Sequence, residues 1–141
     1  MTAQEINTLR LRLRMLTDSD VSPIHSGFFA DPDCVRFTGE ALHEAEFDTF
    51  LWMKGALASE SRITWVFYLS GELIGFGGLE HNWKVHTCEL AYYILPQHWG
   101  RGYATEAAEA MADYAANALG AGRITAKHAV DNPASGAVLK K

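Results

Sequence analysis

The chain has 141 residues, 48% of them hydrophobic and 21% charged, which suits one ordinary globular domain with a real core. A net charge of −5, with no basic cluster interleaved with aromatics, argues against a nucleic-acid partner and would favour a cationic one. No apolar run approaches the ~20 residues that span a membrane, and Met1–Arg10 lacks a signal peptide's apolar stretch; the two cysteines, Cys34 and Cys88, form neither a disulfide framework nor a metal-ligand spacing, so a reduced cytoplasm is expected.

The predicted order of elements is β, α, α, β, β, β, α, β, α. In Thr8–Leu16, Leu9, Leu11 and Leu13 alternate with Arg10, Arg12 and Arg14, which reads as a strand with a buried leucine face and a solvated arginine face. Thr17-Asp18-Ser19-Asp20 opens a helix through Val21, Ile24 and Phe28, because a carboxylate three residues past a threonine N-cap can reach back to it. Asp31-Pro32-Asp33 reads as a loop. A second helix is predicted over His43–Ala58, with Phe47, Phe50, Leu51 and Leu57 as its buried stripe. Ile63–Leu69 and Leu73–Leu79 form a hairpin about Ser70-Gly71, and His86–Leu95, apolar on both faces, reads as a central strand. Gly75, Gly77 and Gly78 crowd one strand and suggest close backbone approach or a bulge.

Tyr103–Leu119 is the strongest helix. Ala104, Ala107, Ala108, Met111, Ala115 and Ala118 line one face and Glu106, Glu109, Asp113 and Asn117 the other, with Gly120 and Gly122 as stop signals. Arg123–Val130 follows as a strand, and Asn132-Pro133 starts a last helix with asparagine at the N-cap and proline at the first helical position.

Between the central strand and this helix stands Gln97-His98-Trp99-Gly100-Arg101-Gly102-Tyr103-Ala104-Thr105. Glycines spaced by one residue let successive N–H groups turn inward as an anion nest, and the helix adds its free N–H groups and positive dipole end. Thr105 would add a hydroxyl and Arg101 a charge. The loop reads as a diphosphate cradle. It is no P-loop, because the lysine is missing, and no dinucleotide fingerprint, because it lies late in the chain with glycine at position 122.

Gln97-x-x-Gly100-x-Gly102 resembles the acetyl-CoA signature of the GNAT acetyltransferase superfamily. The run Trp99–Ala107, Asn132-x-x-Ser135 and the opening Leu-Arg-Leu-Arg resemble its RimJ/RimL-type branch, and the likeness runs from about Leu9 to Lys141. The resemblance implies a single α/β (α+β) domain over 1–141, with a mixed, bent sheet flanked by helices whose strands at 86–95 and 123–130 splay apart. It implies transfer of acetyl from acetyl-CoA to a primary amine, a protein N-terminus or a small amine, by direct attack. Backbone groups of Tyr93, Ile94 and Leu95 would pair with pantetheine, the loop Gln97–Thr105 would hold the diphosphate, Asn132 would touch the cofactor, and Ser135 would protonate the departing thiolate. A non-catalytic acyl-CoA-binding or sensing module is the alternative.

Glu89 is the one ionisable residue in an otherwise apolar stretch of the central strand. A carboxylate buried there would hold its proton more tightly and act as general base, directly or through water, with an N–H near Ile94 serving the oxyanion; the structural alternative is a glutamate paired with a neighbouring element. His81, His86, His98 and His128 match no metal spacing, and no metal is expected. Trp52, Trp65 and Trp83 read as core or as acceptor-pocket walls. Family members continue past the Asn-x-x-Ser helix with two more strands. The expectation is therefore that the edge of 123–130 is covered either by a C-terminal continuation or by a second copy in a homodimer.

Overall fold

The computed structural model of the chain describes residues 4–36, Thr38 and 40–126. Six strands form one mixed sheet in sequence order: β1 (Ile6–Asn7), β2 (Arg12–Met15), β3 (Arg62–Leu69), β4 (Glu72–Asn82), β5 (Thr87–Ile94) and β6 (Arg123–Ala126). All neighbours are antiparallel except β5 and β6, which run parallel because the helix α4 (Tyr103–Asn117) carries the chain back between them. No helix among the described residues is long and apolar enough to cross a membrane.

The opening segment departs from the single strand expected. Thr8 donates its N–H to the Leu11 carbonyl at 2.8 Å and its hydroxyl accepts from Leu11 N–H at 2.9 Å, so the chain turns over Leu9 and Arg10. Leu9 is left 95% exposed, and the alternation holds only for Leu11 and Leu13, which are buried. Nor do the arginines make a plain solvated face. Arg14 forks onto the fully buried Asp20 at 3.0 and 3.1 Å and donates to the Tyr68 hydroxyl at 2.6 Å, which in turn donates to Asp20.

The capping signal at Thr17 holds, since its N–H donates to Asp20 at 2.8 Å. The segment begins as a 3-10 turn at Asp18–Asp20, becomes α1 (Val21–Ile24) and loosens to a π turn at His25–Phe29, which lets consecutive Phe28 and Phe29 both face inward. Asp31-Pro32-Asp33 is not a plain loop. Asp31 accepts from Asp33 N–H at 2.9 Å and proline occupies the first turn, so a one-turn helix α2 (Pro32–Val35) forms.

The second long helix, α3 (Glu46–Ala58), starts three residues later than expected and turns a different face inward. Its buried residues are Thr49, Met53 and Ala56; of the expected stripe, Phe50 and Leu57 pack half-buried against the core, whereas Phe47 and Leu51 are exposed. The buried Thr49 hydroxyl fixes this rotation, meeting His25 Nδ1 at 2.9 Å and His43 Nδ1 at 2.8 Å, while the His43 ring stacks on Phe29. A polar group with two partners outweighs the amphipathic stripe.

The sheet carries a core on each face. Against α4 lie Trp65, Phe67, Leu79, Leu90, Tyr92 and Ile94 beneath Ala107, Ala108, Met111 and Ala115, whose small side chains let the helix approach closely. On the other face Phe28, Phe29 and Met53 pack on Val66 and Phe76. The β3–β4 hairpin turns at Ser70 (φ 50) and Gly71 (φ 84) as expected, with a register shift between Phe67 and Tyr68. The glycines of β4 mark close approach. A Cβ at Gly78 would stand 2.1 Å from the Ile63 carbonyl oxygen, and one at Gly75 would stand 2.3 Å from that of Tyr93.

Two alanine substitutions should therefore have opposite signs. Gly78→Ala drives a methyl into backbone and should lose roughly 2–3 kcal/mol. Gly55→Ala, inside α3 with nothing within 4 Å, should gain about 0.5–1 kcal/mol. Urea denaturation of both variants checks the pair.

Candidate active site

The turn after β5 is built by its proline and glycines. Pro96–His98 makes a 3-10 turn, Gly100 (φ 76) and Gly102 (φ 81) take left-handed backbone, and Gly102 is the N-cap of α4. The first N–H to re-enter helical bonding is that of Glu106, which donates to the Gly102 carbonyl at 3.1 Å. From Gly100 to Thr105 the N–H groups have no acceptor among the described residues, and Gly100, Arg101 and Gly102 are exposed. This is the donor set a diphosphate requires. Beneath it His98 is buried with Nε2 3.6 Å from Glu72, and Gln97 is exposed. Trp99, 54% exposed, donates its indole N–H to the Ile94 carbonyl at 2.6 Å.

Beside this loop lies the edge of β5 that faces β6. The described pairing of β5 with β6 runs from Thr87–Arg123 to Leu90–Ala126, the last described residue, while β5 stays paired with β4 through Ile94. Leu95 N–H donates to Ile74 on β4 at 2.8 Å. Alternate residues of an antiparallel ladder turn the same way, so Ile94 and Tyr92 turn their backbone groups away from β4 and Tyr93 turns with Leu95. Of the three residues expected to meet pantetheine, Ile94 is the one whose N–H faces away from β4.

On the face away from α4 lies a cleft of about 180 Å³, lined by Glu40, Trp52, Arg62, Phe76, Glu80, Glu89 and Tyr93 and floored by Gly77 and Gly78. The expected burial of Glu89 is corrected here. The strand alternates, with Cys88, Leu90, Tyr92 and Ile94 buried and Glu89 exposed toward the cleft. Glu80 stands opposite Glu89 across the β4–β5 ladder but is engaged by the Ser61 hydroxyl at 2.6 Å and Arg62 Nε at 3.1 Å. Burial alone would raise its pKa, yet these two partners hold the Glu80 carboxyl below the usual carboxylate range. Glu89 has no hydrogen bond or ion pair among the described residues.

Trp52 is a cleft wall, whereas Trp65 is fully buried with its indole N–H on the Gln4 carbonyl at 2.7 Å, and Trp83 is exposed and packs on His81. Asn132, Ser135 and His128 lie outside the described residues. Sequence reasoning missed Glu40 and the Tyr93 side chain as cleft residues. Tyr93 was legible as the cleft-facing alternate of Glu89, but Glu40 reaches the sheet only through the irregular segment before α3.

A family model described as the acetyltransferase (GNAT) domain matches residues 10–141. A Bacillus subtilis protein named as the uncharacterized N-acetyltransferase YoaA is 35% identical over 146 residues, covering 96% of this chain and 80% of its own length. The solved structure of a GNAT-family acetyltransferase from Bacillus anthracis is similar with a TM-score of 0.85 at 25% identity, over 97% of this chain and 81% of that one. RimL, a ribosomal L7/L12 alpha-N-protein acetyltransferase solved with coenzyme A, shares the fold with a TM-score of 0.86 at 17% identity, over 96% of this chain and 80% of that one. The chain belongs to the GNAT acetyltransferase family. It is an acetyl-CoA-dependent enzyme that transfers acetyl to amines.

In the cleft, burial and the nearby Glu40 carboxylate push the Tyr93 phenol from the ordinary 10.0 to about 12, against a smaller opposing effect of Arg62. A phenol that holds its proton more tightly in the folded state stabilises the fold below pH 10, and that contribution is lost as pH rises toward 12. Phenolate absorbance should show a late-titrating group that Tyr93→Phe removes, and Tyr93→Phe should flatten the fall in urea stability over that window.

Proposed function

We propose that the N–H groups of Gly100–Thr105 hold the diphosphate of acetyl-CoA, with Gln97, His98 and Trp99 shaping the approach and Arg101 adding charge. The run of N–H groups without acceptors carries this reading. Of the three residues assigned to the pantetheine arm, Ile94 turns its N–H away from β4 next to this loop and suits an arm whose own amides need partners, whereas Tyr93 and Leu95 turn theirs to β4. Asn132 is assigned a further cofactor contact by its place in the family motif.

The amine acceptor enters from the opposite face, through the cleft. Its lining sets three carboxylates, Glu40, Glu80 and Glu89, against one guanidinium, Arg62, among aromatic walls. That balance supports a positively charged primary amine, a small molecule or a peptide N-terminus. The motifs at Trp99–Ala107 and Asn132-x-x-Ser135 support the RimJ/RimL-type branch, and two free cysteines suit the cytoplasm.

Bound acetyl-CoA supplies an activated thioester. Glu89, unpaired at the cleft, takes the proton of the incoming ammonium directly or through water, which frees the nitrogen lone pair for the carbonyl carbon. The Ile94 N–H, turned away from β4, donates to the carbonyl oxygen as negative charge develops there. As the C–S bond breaks, Ser135 gives its proton to the sulfur and recovers one, directly or through water, from the attacking nitrogen, which leaves a neutral amide and the free CoA thiol.

Thermal shift with CoA tests the cradle. At about 100-fold over the dissociation constant, binding should add ~2.7 kcal/mol to the wild type. Gly102→Val should abolish the shift, because a β-branched residue at φ 81 distorts the nest; an undiminished shift refutes the cradle. Glu89→Gln should lower kcat ~10²-fold or more with KM for acetyl-CoA nearly unchanged, and should remove the acidic limb of the rate profile. Rates within about twofold of wild type across pH would make Glu89 structural. CoA binding without thiol release over an amine panel would identify a sensing module instead.

A further inference from the structure

The first turn of α4 holds a carboxylate that belongs, by its position, to the wrong side of the reaction. Glu106 is the fourth residue of α4 and follows directly on the N–H groups that lack acceptors, so its carboxylate is drawn by the same positive helix end that would attract an anionic ligand. An anionic ligand and Glu106 would then compete for the same donors. In this structure Glu106 is drawn aside. Its Oε2 accepts from the Thr8 hydroxyl and from Arg10 N–H at 2.7 Å, and its Oε1 accepts from Arg10 Nε at 2.7 Å. Burial works against the charged form, but these partners hold the Glu106 carboxyl below the usual carboxylate range.

Arg10 does more than neutralise it. The same guanidinium donates through Nη1 to the Arg101 carbonyl at 2.9 Å, within the loop itself, and lies over the Tyr103 ring at 4.5 Å. Its Nη2 is the nearest atom to Gly102, 3.3 Å from where a Cβ would stand. The turn at Thr8–Leu11 exists in a form that delivers both the Thr8 hydroxyl and the Arg10 N–H to one carboxylate oxygen. A planar fork with several donors suits this three-way contact, and a lysine does not.

We infer that Arg10 is a positioning residue of the cofactor loop, which keeps Glu106 off the anion-binding N–H groups and clamps the Arg101 carbonyl so that those groups stay open to the diphosphate. The inference rests on the loop being the cofactor cradle. The β1–β2 turn is thereby part of the cofactor site although it contributes no catalytic group.

Steady-state kinetics of Arg10→Ala and of the double variant Arg10→Ala/Glu106→Gln test it. Arg10→Ala should raise KM for acetyl-CoA roughly 10- to 100-fold, the worth of a hydrogen bond to a charged group, with kcat at saturation within about threefold of wild type. The double variant should recover most of that loss, because the freed glutamine carries no negative charge to compete with the phosphates. A merely structural arginine gives no such rescue. Should Arg10→Ala not fold, Arg10→Lys carries the test, with a smaller rise in KM that Glu106→Gln again reverses. An unchanged KM in Arg10→Ala, a loss confined to kcat, or a double variant no better than the single overturns the inference. If Gly102→Val raises KM and Arg10→Ala does not, the cradle stands and this inference alone fails; if neither moves KM, both fall.

Discussion

The first N–H groups of a helix have no partner within it, and a glycine turn that sets further free N–H groups beside them concentrates donors at one point, ready for something that accepts. The turn between β5 and α4 is organised by that constraint. Gly100 and Gly102 adopt backbone that other residues rarely tolerate, and α4 begins before its first donors are engaged. The parallel return of β6 follows from the same arrangement, because α4 must start at the turn and cross the sheet before the chain comes back.

The sheet separates two kinds of chemistry. On the proposed reading, the α4 side meets an anion with backbone donors, and the opposite face meets a cation with carboxylates among aromatic rings. On that reading, a cationic acceptor and an anionic donor molecule would approach from opposite sides of the sheet without either passing through the other's field.

Much of this was legible in the residues. The loop, the β3–β4 hairpin and the alanine face of α4 depend on local rules: positive φ for glycine, tight turns, and a period of 3.6. They came out as read, apart from Ala118, which caps the helix and is exposed. What failed depended on distant partners. Arg10, Arg12 and Arg14 alternate like a strand, but the Thr8 turn and Glu106, nearly a hundred positions away, take Arg10 out of the sheet. The face of α3 was misread because Thr49 answers to His25 and His43, neither of them in that helix. Glu89 was placed on the right strand and assigned the wrong burial, since hydrophobicity along β5 does not say which face is covered and which opens on a cleft.

The glycines of β4 carry a consequence for how this scaffold can diversify. Gly77 and Gly78 form the floor of the cleft, and neither has room for a single added carbon against Ala91 and Ile63. The floor is therefore fixed by the backbone of its neighbours and cannot be raised or decorated. If the cleft takes the amine, the size and charge it accepts are set by the walls: Trp52 on α3, Glu40 in the segment before it, and Glu89 and Tyr93 on β5. Acceptor preference would then drift through a rim of side chains around a base that the backbone holds still.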